Sequence, residues 1–121
     1  MIAELQVKAN KKMKYIITEN KLERVIIHFL NKGYGDLIEY RTDIYPNSIF
    51  YIKDKKVYME QDIEYGRLWV DYKTIWMDLK MWFSLDYYSI QSVITKWVEE
   101  TYNIRGLTPF DSPLLALDEV D

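Results

Sequence analysis

Apolar residues recur at helical spacing between residues 20 and 32: Leu22, Val25, Ile26, Phe29 and Leu30 fall at i, i+3, i+4, i+7 and i+8. That spacing lays one apolar stripe along a helix. Asn20 followed by Glu23 has the layout of a capping box, so the helix is expected to begin there. Gly33, with Gly35 close behind, supplies a left-handed stop. Upstream, the segment 13–18 is β-branched and aromatic enough for a short strand. Residues 1–12 are polar and lysine-rich without sustained period, which predicts a flexible basic arm.

Further along, the period shortens towards two. The segment 37–41 is a candidate strand, and Tyr45-Pro46-Asn47 is turn chemistry. The runs 48–53 and 56–61 flank Asp54-Lys55 and read as a hairpin. In the second run Val57, Met59, Gln61 and Ile63 alternate with Tyr58, Glu60, Asp62 and Glu64. Tyr65-Gly66 makes another turn before a short strand at 67–70. The middle of the chain is thus expected to be an antiparallel meander of three or four strands.

Helical spacing then returns twice. Tyr72, Ile75, Trp76, Leu79, Trp82 and Phe83 make one stripe over 71–83, with Asp71 placed to cap it. Ser84-Leu85-Asp86 breaks that helix, and Asp86 can cap a second, whose stripe is Ile90, Val93, Ile94, Trp97 and Val98. Beyond Asn103 come Gly106, Pro109, Pro113 and scattered leucines among acids, which predicts an extended acidic tail over 110–121. The expected architecture is one α+β domain over 13–109: an N-terminal helix, the meander, and a C-terminal helix pair packed on one sheet face.

Composition narrows the function classes. The 121 residues suffice for one core, and 49% apolar with 16% aromatic residues argues for a folded chain. The absence of cysteine excludes disulfides, thiolate zinc sites and a cysteine nucleophile. No apolar run approaches the ~18 residues of a membrane span, and residues 1–8 lack the basic-then-apolar layout of a signal peptide. A cytoplasmic protein is expected, with no membrane partner. The net charge of −3 divides unevenly: residues 1–32 carry a local +4 and residues 107–121 a local −4. The body is therefore nearly neutral, without the marked basic excess of a dedicated nucleic-acid domain.

Several stretches are similar to small tailed-phage proteins. They are Lys14-Tyr-Ile-Ile-Thr-Glu19 ahead of a helix, Leu68-Trp-Val-Asp-Tyr72, and Trp97-Val-Glu-Glu-Thr-Tyr102 followed by Arg105-Gly-Leu-Thr-Pro109. Together they span the segment 13–109. The resemblance implies a viral origin, with the host cytoplasm or the virion as location, and carries over no functional residue.

Candidate chemistry is sparse. His28 is the sole histidine, which excludes His-paired catalysis and multi-histidine metal sites. Glu60, Asp62 and Glu64 share one strand face and could hold a divalent cation, with Lys53 or Lys56 nearby as in a nuclease, but a solvated polar face demands such residues anyway. Lys8, Lys11, Lys12 and Lys14 with Tyr15 could touch phosphate, and Tyr51, Lys53, Lys56 and Tyr58 could form a stacking platform. Glycine-rich phosphate loops and nucleophile elbows are absent from the sequence.

Partner binding has better candidates. Met77 and Met81 lie one turn apart outside the core stripe of the 71–83 helix, flanked by Lys73 and Lys80. Met and aromatic residues are enriched in interface cores. Leu114, Leu115 and Leu117 among acids have the form of a linear motif that docks on another chain. The leading expectation is a non-enzymatic interaction or accessory structural protein of phage type, without cofactor, that meets a protein partner or a second copy. A nucleic-acid binder and a metal-dependent enzyme on Glu60, Asp62 and Glu64 are the alternatives.

Overall fold

A computed structural model describes residues 19–113 and 115–120, so the expected basic arm at 1–12 and the strand at 13–18 lie outside the described residues. The helix read from the first stripe, α1, is described from Glu19 to Tyr34. It buries Leu22, Ile26 and Leu30, while Val25 faces solvent. Gly33 lies inside its last turn and meets nothing, whereas a Cβ on Gly35 would sit 2.5 Å from the Asn31 carbonyl oxygen. Gly35 is thus required by close approach, and the expected left-handed stop is not used.

Four strands follow as the expected antiparallel meander: β1 (Ile38–Tyr40), β2 (Ser48–Lys53), β3 (Lys56–Asp62) and β4 (Arg67–Asp71). Asp54 and Lys55 both take positive φ, 51° and 70°, the geometry whose twist matches a two-residue hairpin. Pairing steps from Tyr51↔Met59 to Ile52↔Val57, so Tyr58 is an extra residue in β3. Tyr58 and Met59 therefore both serve the helical side of the sheet, while Val57 joins Phe50 on the other.

After β4 the chain makes a π-helical turn (Tyr72–Trp76), α2 (Met77–Phe83) and α3 (Tyr87–Tyr102). It then returns as β5 (Thr108–Ser112), parallel to β4, so the five strands stand in chain order in a mixed sheet. Parallel neighbours need such a crossover, here supplied by the helix pair. The helical stripes and one sheet face enclose the main core, which includes Ile26, Leu30, Met59, Leu68, Leu79, Ile94 and Trp97. Asn31 ties α1 to α3 by accepting from Trp97 Nε1 at 2.9 Å and Thr101 Oγ1 at 3.0 Å. Tyr102 extends the tie, donating to the Tyr34 carbonyl while its hydroxyl oxygen accepts from the Leu37 N–H at 3.0 Å.

Two expectations need correction. Asp71 does not cap the second helix: it ends β4 almost fully buried, its carboxylate accepting from Thr74 Oγ1 at 2.9 Å with Lys56 Nζ at 3.9 Å. More consequentially, the tail from 110 onward is no free extension. Residues 110–112 complete β5, and Gln91 Nε2 on α3 donates to the Pro109 carbonyl at 2.7 Å. Residues 115–120 form a strap across the outer sheet face, where Leu115 joins Phe50 and Val57 in a second core, flanked by Leu117 and Val120. Irregular segments escape a periodicity test, because their burial comes from tertiary contacts alone.

Candidate functional site

The most exposed aromatic surface lies at the corner between α2 and α3. The π-helical turn leads the chain off β4 with Ile75 and Trp76 buried, and Leu79 carries the same burial into α2. Ser84 adopts the left-handed conformation (φ 54°) and stops α2 after seven residues. Asp86 then caps α3 by accepting from the Ser89 N–H at 2.8 Å, a bond that, with a second from the Ser89 side chain, holds its carboxyl below the ordinary value.

This geometry divides the α2 stripe. Phe83 packs edge-on against Phe29 of α1, with ring centroids 5.2 Å apart, whereas Trp82 and Met81 are each 71% exposed. Across the break, Tyr88 is 77% exposed and Tyr87 bridges it to the core. The Tyr87 ring lies 5.1 Å from buried Trp76 and 5.7 Å from Tyr88. Burial and Asp111 push the Tyr87 phenol up. An aromatic run thus passes from the interior to solvent at one end of the helix pair.

The partner-binding candidates from the sequence fall unequally here. Met81, Lys73 and Lys80 are exposed, and Met77 is half-buried. Trp82 falls in the core stripe by its spacing yet is exposed, and Tyr87 and Tyr88 belong to no apolar stripe. The signal that could have found them is the break at 84–86, since an aromatic flanking a helix break has fewer neighbours to cover it.

The tail leucines are placed elsewhere. Leu115 is buried and Leu117 half-buried against the chain's own sheet, and Leu114 lies outside the described residues.

The three carboxylates are not brought together for an ion. Glu60 is 8% exposed and accepts from Ser48 Oγ at 2.8 Å and from the Ala116 N–H at 3.1 Å. Asp62 accepts from the Tyr65 N–H at 3.2 Å within its turn, and Glu64 from Asn47 Nδ2 at 3.3 Å. Among the described residues no cluster of three acidic or histidine side chains is placed to hold a metal.

The stacking platform is likewise dismantled. Tyr51 is buried, donating to Gln61 Oε1 at 2.8 Å, and Tyr58 packs on Tyr34 with centroids 5.5 Å apart. Lys53 pairs with Asp36 at 3.3 Å and Lys56 with Asp71. Lys8, Lys11, Lys12, Lys14 and Tyr15 lie outside the described residues. His28 lines a shallow depression between α1 and α3 with Glu23, Arg24 and Lys96, whose Nζ stands 3.6 Å from Glu23. A polar contact joins the end of α1 to α2: Tyr34 Oη donates to Asp78 at 2.5 Å, and burial, followed by that bond, pushes the phenol strongly up. No helix among the described residues is long and apolar enough to cross a membrane.

Compared with known proteins, the chain matches no family model, no curated protein and no solved structure.

Proposed function

We propose that the protein is a non-enzymatic interaction protein, an accessory structural component of the kind a tailed phage assembles in its host's cytoplasm. It docks through the α2–α3 corner. The observation that carries this reading is Trp82, a large aromatic side chain 71% exposed on a short helix beside the equally exposed Met81. Leaving such area in water forgoes roughly 1.5–3 kcal/mol per side chain, which a partner recovers. Trp and Tyr are also the residues that dominate binding energy when they enter a partner's pocket. Exposed Lys73 and Lys80 on the same helical segment suit a partner with an apolar pocket and an acidic rim, since rim charges of opposite sign steer encounter.

The test is the full chain carrying Met81→Glu with Trp82→Glu. Both positions are solvated, so circular dichroism is unchanged and stability stays within about 0.5 kcal/mol of wild type. Chemical cross-linking and light scattering against wild type then read association, which the double variant loses. Unaltered association rejects the corner as the docking surface. If wild type instead binds single-stranded DNA or RNA with a steep salt dependence, and the variant does not, the corner is a base-stacking surface.

A further inference from the structure

The outer sheet face is built as a peptide site, and the chain's own C-terminal strap shows what fits it. Its floor is Phe50 and Val57, both fully buried, walled by Tyr40, Tyr45, Ile52 and Trp69. Leu115 enters this floor, and Leu117 and Val120 lie against it. Three backbone bonds fix the strap's course. Val57 N–H donates to the Asp118 carbonyl at 2.8 Å, Val120 N–H donates to the Lys55 carbonyl at 2.8 Å, and Ala116 N–H donates to Glu60 Oε1 at 3.1 Å. The first two flank an antiparallel bridge between Lys56 and Glu119. Glu60 is the informative member: a carboxylate more than nine-tenths buried, steadied by Ser48 Oγ, that points one oxygen at a backbone N–H of the segment lying on it. Strand addition with side chains seated in pockets is a recurring mode of peptide recognition.

We propose that this face takes the same segment, 115–120, from a second copy of the chain, so that two copies exchange straps. Exchange preserves every contact just named, because the second copy brings the identical segment. An open copy would leave two apolar sets in water, the floor and Leu115 with its neighbours, and each re-covers the other's counterpart on a second open copy. Only Pro113 and Leu114 separate the end of β5 from Leu115. A connection this short is the setting in which exchange between copies arises. The closed form still competes through a high effective concentration, on the order of millimolar for a short link. Exchange therefore belongs to crowded assemblies of this chain. None of the corner residues is used, so the exchange stands or falls apart from the docking reading above.

The natural chain has no cysteine, which makes a thiol test clean. Lys56 and Glu119 stand opposite each other as a pair without mutual hydrogen bonds, the closer of the two antiparallel pair types and within disulfide reach. Full chains carrying Lys56→Cys alone and Glu119→Cys alone are mixed at high concentration, equilibrated and oxidised. The expected product is a disulfide heterodimer well above the statistical share, increasing with the concentration before oxidation. Amide exchange on wild type supplies the second measurement and needs no variant. The Ala116, Val57 and Val120 amides are expected to exchange through local opening, faster than those of Met59 and Leu68. A statistical mixture of dimers overturns the proposal. Strap amides that exchange only with global unfolding overturn it as well. Local opening with a statistical mixture also overturns it, and assigns the groove to a foreign peptide.

Discussion

The inner face of the sheet is closed by helices whose apolar stripes are spaced for it, and the outer face by the segment 115–120, which has no period at all. The two cores differ in how their covering chain is held. On the inner side Trp97 is seated by packing from α1, α3 and the sheet and by its bond to Asn31. On the outer side Leu115 is the one fully engaged residue of its layer, with three backbone bonds around it. The comparison teaches that burial alone does not measure cohesion. A residue on an element that can lift off costs no more, when removed, than the docking of that element.

The largest effect separates the faces least and anchors the scale. Trp97→Ala is expected to cost about 3–5 kcal/mol, close to the whole stability of a small domain. An unchanged melting temperature would contradict the inner core as described. The sharper test pairs two leucines in urea denaturation. Leu79→Ala on the inner side should cost about 2–5 kcal/mol, and Leu115→Ala less than about 2, because the strap can undock while the domain stays folded. Equal losses would mean that strap and domain are one cooperative unit.

High pH acts on the inner side through three tyrosines. Burial raises the Tyr51 and Tyr102 phenols to about 12 from an ordinary 10.0, and Tyr34 is raised further. Each is an acid whose neutral form the fold favours. Their stabilisation is complete below pH 10 and is lost as pH climbs through the folded values near 12. Melting temperature is therefore expected to hold to about pH 9.5 and fall steeply beyond it, with the last phenols to ionise doing so in step with unfolding. Ionisation of all the phenols in a chain that stays folded at pH 11 would break the assignment. The smallest effect is at the corner: Asp86→Ala removes the cap of α3 and should cost about 1 kcal/mol, read from the urea midpoint.

What could be read in advance follows the same division. The α+β class, the hairpin at Asp54-Lys55 and the stripes of α1 and α3 were legible, because each obeys a local period or a turn rule. The bulge at Tyr58 was not, since it depends on a register that only the partner strand defines. Nor was β5: with Pro109 as its second residue it reads as tail, yet at the sheet margin one side needs no ladder donor. At the corner, Trp82 and Phe83 look equivalent on a helical wheel, and only the position of Phe29 decides which of them is covered. Glu60 looked like surface because its covering residues lie more than fifty positions away.

The parallel pairing of β4 with β5 bears on how the chain is made. Arg67 pairs with Thr108, 108 − 67 = 41 positions later. At translation rates of about 5–20 residues per second, β4 waits roughly two to eight seconds for that neighbour to be synthesised. During this interval the ribosome-bound chain presents an unpaired strand edge bearing Trp69. The strap that covers Phe50 and Val57 emerges later still. Crowded nascent chains on one message would thus meet each other with their outer faces bare, which is where chaperone engagement or pairing between growing neighbours has its opening.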